Sequence, residues 1–251
     1  MRTILLIALF VVSTGFGLPG ADELLKRLEN NYKMGNDISA TVSLTQQKAG
    51  QGAKLINMLY YRRDTDNSFL IIMTGPESEK GNGYLRVGDN FWMYRRNTRT
   101  FQHVNRDENI GGSDAKGDDF ETRNLTELYE GAKDSSGKEI ISEEILGKIP
   151  VWKMEIKAKV KDVDYPKKIY WVQQSNGLLL KETAYSSSHT LMQTSYYLKY
   201  TQVAGKFVPV NQIFIDEFEK GNKTILEISG IVTKKLEDAL FTKPYLENLS
   251  K

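Results

Sequence analysis

The chain has 251 residues, of which 40% are hydrophobic and 26% charged, so it can bury a core and disorder is not the default. Its formal net charge is +2, with 34 basic and 32 acidic residues interspersed, which gives no reason to expect nucleic acid as a partner. The absence of cysteine excludes disulfides, thiol catalysis, zinc–thiolate and iron–sulfur sites, and lipid attachment to a cysteine.

The N-terminus is typical of a secretory signal peptide. Arg2 precedes an unbroken apolar run from Ile4 to Val12, and small residues follow up to Ala21. The run is too short to span a bilayer, and the small-residue segment argues against the alternative of an N-terminal anchor. We predict a signal peptide over residues 1–20 and an exported mature chain of residues 21–251.

One amphipathic helix is expected at the start of the mature chain. Leu24, Leu28 and Tyr32 recur every fourth residue, Leu25 adds to the same stripe, and Asp22 is a suitable N-cap. Strand patterns dominate after this helix. The first predicted strands cover residues 38–45, 55–62 and 68–74.

The stretch from Gly83 to Val104 predicts three short strands, and the middle one is apolar on both faces. Phe91 and Met93 share one face, while Trp92 and Tyr94 share the other. A strand at the surface of a soluble sheet normally needs only one apolar face. The second face is therefore expected to be covered by a helix or a ligand.

The clearest alternation is in "VWKMEIKAKV", residues 151–160. Trp152, Met154 and Ile156 alternate with Lys153 and Lys157. A period of two with this contrast predicts a strand that has one dry face and one wet face.

Three turn signals predict further hairpins. Asn176-Gly177 is a strong hairpin signal, and Ala204-Gly205 and Gly221-Asn222 separate later strands near 191–202, 207–219 and 223–232. A meander of about ten or eleven antiparallel strands must curl towards a barrel. Its interior would be either a ligand cavity or a plugged core.

One segment interrupts the strands. Residues 105–119 are polar and aperiodic, which predicts a long loop, and Phe120–Tyr129 predicts a short helix with Leu125 and Leu128 facing inward. Near the C-terminus, an apolar tail is expected to pack on the sheet. No linker or repeat divides the chain, so we predict one domain.

Two catalytic or metal sites can be drawn from the sequence, each with a simpler explanation. The "SSSHT" stretch places serines beside His189, but neighbours in a strand point to opposite faces and no Gly-x-Ser-x-Gly motif is present. Asp114, Asp118 and Asp119 do not match a calcium-loop spacing, and helix capping explains one of the last two. Whether they bind a metal stays open at this stage.

A basic cluster follows the middle aromatic strand. Arg95, Arg96 and Arg99 would suit an anionic headgroup or the acidic patch of a partner protein. A solvated hairpin end explains the same residues equally well.

Several stretches together resemble a known family. They include "GNGYLRVGDNFWMYRRNTRTFQHV", "GDDFETRNLTELYEG", "GKIPVWKMEIKAK", "YPKKIYWV" and "FTKPYLENL". These are similar to the outer-membrane lipoprotein-sorting protein family, in the superfamily of the carrier LolA, the receptor LolB and the regulator RseB. The chain departs from the family pattern at Arg95-Arg96, where proline is frequent, and at Asn124, where an acidic residue is usual.

The resemblance implies a mainly β fold, an unclosed antiparallel barrel whose helices lid a hydrophobic cavity. It also implies a periplasmic carrier for lipoprotein acyl chains or other lipids, without a cofactor or enzymatic activity. We expect a monomer that exchanges cargo with a membrane-anchored donor or acceptor protein. A regulatory sensor of the RseB type is the alternative, and a lipid hydrolase is less favoured.

The expected site residues follow from this interpretation. The predicted cavity consists of Leu85, Trp92, Tyr94, Trp152, Met154, Ile156 and Trp171. A predicted lid near residues 105–130 contributes Phe120, Leu125 and Leu128, and Arg95, Arg96 and Arg99 are the expected headgroup or partner contacts.

Overall fold

The computed structural model describes residues 17–121, 124–161 and 163–249. The predicted signal peptide lies largely outside these residues. The described chain forms three α-helices, α1 (Ala21–Tyr32), α2 (Leu125–Leu128) and α3 (Lys243–Asn248). Its strands are β1 (Ile38–Gln47), β2 (Ala53–Arg63), β3 (Ser68–Gly75), β4 (Gly83–Val87), β5 (Asn90–Arg95), β6 (Thr100–His103), β7 (Tyr129–Gly131), β8 (Ile141–Leu146), β9 (Ile149–Ala158), β10 (Lys167–Gln173), β11 (Leu179–Tyr185), β12 (Leu191–Val203), β13 (Lys206–Asp216) and β14 (Lys223–Thr233).

All these strands belong to one curled antiparallel sheet. Its order is β6-β5-β4-β3-β2-β1-β14-β13-β12-β11-β10-β9-β7, and β8 also pairs with β9. Because β6 and β7 do not pair with each other, the barrel is unclosed, which confirms the predicted mainly β architecture. The count of fourteen exceeds the predicted ten or eleven. β7 and β8 were not among the predicted strands, and β7 covers only three residues, too few to show a period.

The predicted stripe on α1 is confirmed. Leu24, Leu25 and Leu28 are almost completely buried. The helix begins at Ala21, with Gly20 at the N-cap, so Asp22 lies inside the first turn and does not cap it. Instead, Asp22 accepts a hydrogen bond from Lys26 at 2.7 Å within the first turns.

One face of the sheet, called the inner face below, carries most of the core. Residues paired directly across strands lie on the same face, so the row Met154–Tyr170–Glu182–Ser195–Phe214 defines this face from β9 to β13. Two apolar clusters cover it. The barrel core joins strands β1–β5, β13 and β14 with the segment between β6 and α2, while the helix core joins α1 with β9, β10 and β11.

The outer face of β3–β5 is covered by the C-terminal segment of the chain. Leu236, Phe241 and Leu246 form a third cluster with Leu85 and Tyr94. The fit around α3 is close, since a Cβ on Gly83 would lie 2.8 Å from a Leu246 methyl group. The second apolar face of β5 is therefore covered by the C-terminal segment of the same chain.

In the described parts of the chain, no helix has both the length and the apolar character required to cross a membrane.

Candidate functional site

The segment between β6 and α2 fills the inner face rather than forming a loose loop. Ile110, Ala115 and Phe120 are buried in the barrel core. The Tyr60 hydroxyl donates to the carbonyl of Phe120, and the Gly111 amide donates to the Tyr84 hydroxyl at 3.0 Å. Long-range hydrogen bonds of this kind anchor the segment to the sheet.

The helix expected over 120–129 is much shorter in the structure. Gly117–Phe120 forms a 3-10 turn, α2 covers only Leu125–Leu128, and β7 begins at Tyr129. The Asp119 carboxylate accepts a hydrogen bond from the Lys116 amide at 2.8 Å and so caps this turn. The prediction was wrong here because Phe120 enters the barrel core, which interrupts the helical path.

Asp114 links the same segment to the far strands. Its carboxylate accepts a hydrogen bond from Thr224 Oγ1 at 2.7 Å, and its carbonyl accepts one from Gln193 Nε2 at 2.9 Å. Burial raises the pKa of Asp114, and the nearby carboxylates of Asp216 and Glu219 raise it further. Across the described ranges, no group of three or more histidine, aspartate or glutamate side chains is placed to hold a metal ion.

A cavity of about 130 Å³ lies between α1, the inner face and the 3-10 turn. Its polar wall includes Glu29, Asp118, Glu121 and Glu182. It therefore combines apolar and charged surfaces. The apolar and aromatic side chains that line it are Leu28, Tyr32, Leu125, Tyr170, Leu179, Tyr197 and Pro209.

Tyrosine hydroxyls fix the C-terminal end of α1 above this cavity. The Tyr32 and Tyr200 hydroxyls are 2.9 Å apart, and the Leu179 amide donates to Tyr32 at 2.9 Å. Tyr200 in turn donates to the Leu179 carbonyl at 2.6 Å. Burial raises the pKa of Tyr32 to about 12, so the hydroxyl stays protonated and the contact is neutral at physiological pH.

Glu182, one of the charged residues of the wall, is paired with a lysine beneath the surface. Lys168 is 1% exposed and lies 3.0 Å from the Glu182 carboxylate and 3.4 Å from that of Asp164. Burial lowers the pKa of Lys168, but the two carboxylates outweigh this effect and hold the pKa well above its ordinary value. Lys168 therefore stays charged. Its ion pairs stabilise the wall only while Asp164, Lys168 and Glu182 are all present, because removing one of them leaves an uncompensated buried charge.

A second, polar cavity of about 340 Å³ adjoins the first. Lys33 and Glu121 line both cavities, and Arg106, Asn124 and Leu128 line the polar one. The two cavities are therefore neighbours, the polar one between the β2–β3 turn and α2 and the apolar one under α1.

The predicted cavity residues on β9 lie close to this site. Met154 and Ile156 are completely buried in the helix core, and Trp152 packs against it. They lie beneath α1 and do not line the cavity itself. Of the predicted lid residues, Leu125 lines the apolar cavity and Leu128 the polar one.

The other predicted cavity residues lie on the outer face. Leu85, Trp92 and Tyr94 pack under the C-terminal segment, with Lys243 Nζ 4.1 Å from the Trp92 ring centre. Trp171 is paired directly with Lys153, so it lies on the face opposite Met154, and it donates from Nε1 to Glu144 at 3.0 Å. The structure therefore does not bring the predicted set together in one cavity.

The remaining candidates are also apart from the cavity under α1. Arg95, Arg96 and Arg99 are exposed at the β5–β6 hairpin, where Arg99 has a φ of 56°. His189 lies in the turn between β11 and β12, with a φ of 62°, and not in a strand as its sequence context indicated. His103 packs edge-on against Trp92.

The tyrosines of the cavity were missed by the sequence reasoning. Tyr32 continues the predicted stripe of α1, and Tyr170 pairs directly with Met154. Their sequence signals were therefore present. Tyr197 had no comparable signal, because a register irregularity after it disturbs the alternation of β12.

Comparison with known protein families places this chain in one of them. A family model described as "Uncharacterized protein" matches residues 65–248, well over half of the chain. No curated protein matches.

Several solved structures share the fold over nearly the whole chain. A LolA superfamily protein from Nitrosomonas europaea is 21% identical, with a TM-score of 0.76, over 91% of this chain and 100% of that chain. An outer-membrane lipoprotein-sorting protein domain from Vibrio parahaemolyticus is 19% identical, with a TM-score of 0.77, over 90% and 98%. A DUF1329 family protein from Desulfovibrio piger is 18% identical, with a TM-score of 0.77, over 90% and 97%. The chain thus belongs to the family described by the matching model, and its fold is that of the LolA superfamily.

Proposed function

We propose that this protein is a non-enzymatic periplasmic carrier that sequesters the acyl chain of a lipid or lipoprotein between α1 and the inner face. The observation that carries the proposal is the cavity under α1, whose apolar wall includes Leu28, Leu125 and Leu179. The fold supports it as well, because a structural neighbour is described as a lipoprotein-sorting domain.

The size of the cavity implies that α1 moves when a chain binds. At about 130 Å³ it is smaller than the roughly 150 Å³ apolar cavity that holds a single benzene molecule. A long acyl chain needs more space than this. Lifting α1 would provide it, because Leu24, Leu25 and Leu28 now cover Met154 and Ile156.

The free-energy cost of lifting α1 and the free-energy gain of burying an acyl chain are comparable. Exposing three buried leucines of α1 costs about 5–9 kcal/mol, at roughly 1.5–3 kcal/mol for each side chain. Burying about fifteen methylenes of an acyl chain gains roughly 12 kcal/mol. A bound chain can therefore replace α1 on the inner face, and a carrier with this balance can also release its cargo.

The contacts of α1 indicate how it would open. At its N-terminal end the Ala21 amide donates a hydrogen bond to Glu139 at 2.8 Å, and at the other end Asn31 and Tyr32 make several hydrogen bonds to the β10–β11 hairpin. Glu29 accepts hydrogen bonds from the amide and hydroxyl of Thr126, at 2.7 and 2.9 Å, which couples α1 to α2. We infer a lid made of α1 and α2 that is hinged at the C-terminal end of α1.

This lid includes two of the three lid residues expected from the sequence. Leu125 and Leu128 belong to α2, and Trp152, Met154 and Ile156 would line the enlarged cavity once α1 lifts. Phe120 stays in the barrel core in both states.

Mass spectrometry of lipid extracted from the mature protein, purified from the cell envelope, tests the proposal. The expected result is a stoichiometric lipid or acylated peptide that is recovered chemically intact. Recovery of a cleaved lipid would indicate a hydrolase. Protein that neither retains lipid nor binds acyl chains on titration would contradict the carrier function.

A further inference from the structure

A buried arginine on the inner face lacks part of its hydrogen bonding. Arg86 is 1% exposed and is paired across the strands with Phe69 and Phe91, both members of the barrel core. Its Nη1 lies 2.8 Å from a Glu121 carboxylate oxygen. Its Nε and Nη2 have no hydrogen-bond partner among the residues that the structure describes.

The two unused nitrogens form one edge of the planar guanidinium group. This edge donates two parallel N–H bonds and matches the oxygens of a carboxylate or a phosphate. Leaving two buried donors unmet is unfavourable, so an arginine held in this way needs a partner that the described part of the chain does not supply. The edge has the chemistry of an anion-binding fork.

Arg86 shares its nearest carboxylate with a second arginine, although other carboxylates, such as Asp118, line the adjoining cavity. Glu121 also lies 3.1 Å from Arg106, so one carboxylate is shared between two guanidinium groups. Arg106 also lies 3.2 Å from Asp89, whose side chain is 94% exposed and therefore screened by water. Burial lowers the pKa of Arg86, and the Arg106 charge lowers it further, although Glu121 opposes both effects.

The fork lies next to the proposed lipid site. Glu121, the ion-pair partner of Arg86, lines both the apolar cavity under α1 and the polar cavity beside it. Asp118, whose charge also acts on Arg86, lines the apolar cavity. Arg86 itself lines neither cavity, so an anionic group that enters with an acyl chain would reach Arg86 only if the Glu121 side chain moves aside.

We propose that the cargo is an anionic amphiphile whose carboxylate or phosphate binds in a bidentate manner to the Nε and Nη2 edge of Arg86 while its chain lies under α1. The inference rests on the proposed function and adds the chemical class of the headgroup. Glu121 then serves as the counter-ion of Arg86 in the empty site and shifts towards Arg106 as the headgroup enters.

Titration calorimetry below the critical micelle concentration tests this with the mature wild-type protein. The probes are dodecyl phosphate, dodecanoate and dodecyltrimethylammonium, which share one chain length, and inorganic phosphate. At least one of the two anionic amphiphiles should bind about tenfold to a hundredfold more tightly than the cationic one. A preference for dodecanoate would identify a carboxylate headgroup, and a preference for dodecyl phosphate would identify a phosphate.

Variants separate the fork from general attraction between charges. Arg86→Gln removes the charge, and Arg86→Lys keeps the charge but lacks the planar fork, so both should lose the preference for the anions. Arg95→Gln is the matched control, since Arg95 is an exposed cation at the β5–β6 hairpin and lines neither cavity. It should retain the preference, and circular dichroism should confirm that each variant is folded.

The outcomes distinguish this inference from the proposed function. If wild-type protein binds all three amphiphiles equally, or if folded Arg86→Lys keeps the full preference, the headgroup assignment is wrong and the carrier function stands. Inorganic phosphate that binds as tightly as dodecyl phosphate would also overturn it, because the chain would then add nothing. Failure to bind any amphiphile would contradict both proposals. The wild-type comparison is decisive even if the Arg86 variants do not fold.

Discussion

Leu24 lies on the face of α1 that packs on the sheet, is completely buried, and does not line the cavity. Replacing a leucine at such a position with alanine costs about 2–5 kcal/mol. In the lifted state of α1 this side chain is already exposed, so the substitution destabilises only the closed state. With a loss of about 3 kcal/mol, Leu24→Ala should make opening of α1 roughly a hundredfold more frequent.

The same change should tighten lipid binding. Lifting α1 is part of the binding reaction, so a smaller opening cost raises the apparent affinity by up to the same factor of about a hundred. Hydrogen exchange of α1 reports the opening, and titration with the fluorescent fatty acid cis-parinaric acid reports the affinity. A destabilising substitution that improves binding is a result that a purely structural role of α1 does not predict.

Leu226→Ala is the matched control. Leu226 is as deeply buried as Leu24 but belongs to β14 and the barrel core. It should lower the melting temperature by a similar amount, about 6–12 °C, and leave both the exchange of α1 and the affinity unchanged. If Leu24→Ala bound the fatty acid no better than wild type, α1 would not be the lid.

Other predictions use the two faces of the sheet and the buried carboxylate. Met154→Glu should abolish lipid binding, because it places an unpaired charge in the helix core. Lys157→Gln, on the outer face, should leave binding unchanged, and the amount of lipid recovered from the purified protein measures both effects. Leu246→Ala should lower thermal stability by about 2–5 kcal/mol without changing the affinity for cis-parinaric acid, because Leu246 covers only the outer face. Folding raises the pKa of Asp114, so the folded state holds this proton more tightly and loses stability as the pH rises from the unfolded pKa, about 3.9, through the folded pKa. Asp114→Asn should therefore flatten this part of a profile of melting temperature against pH, and an unchanged profile would show that Asp114 is not responsible.

Elements with a clear period were predictable from the sequence. The stripe of α1 and the alternation of β9 identified the buried face of each, because each element has one dry side. The hairpin turn at Ala204-Gly205 was also identified, and both residues have a positive φ there, as a tight hairpin turn requires.

The assignment of faces failed where a strand is apolar on both sides. Tyr170, Trp171 and Val172 are consecutive buried residues of β10, so periodicity does not decide which of them faces inward. Pairing with β9 decides it, since Tyr170 stands opposite Met154 and Trp171 opposite Lys153. The register between β9 and β10 is set by contacts between residues distant in the sequence, so local periodicity does not predict it.

The other difference concerns what covers the second face of β5. The sequence left a helix or a ligand as alternatives, and the structure places α3 and the residues before it there. The residues that meet, such as Leu85 and Leu246, are far apart in the sequence, so no local pattern joins them. The cavity under α1 arises in the same way, from the contact of α1 with strands much later in the chain.

The three tryptophans of the chain permit a direct test of where the acyl chain binds. Trp152 packs against the helix core beneath α1, whereas Trp92 lies on the outer face under the C-terminal segment. A protein that carries Trp92→Phe and Trp171→Phe retains only Trp152, and one that carries Trp152→Phe and Trp171→Phe retains only Trp92. Each is titrated with a brominated fatty acid, which quenches indole fluorescence only at short range. Binding under α1 predicts saturable quenching of Trp152 and little quenching of Trp92. Equal quenching of both, or quenching of Trp92 alone, would contradict a lipid site between α1 and the inner face.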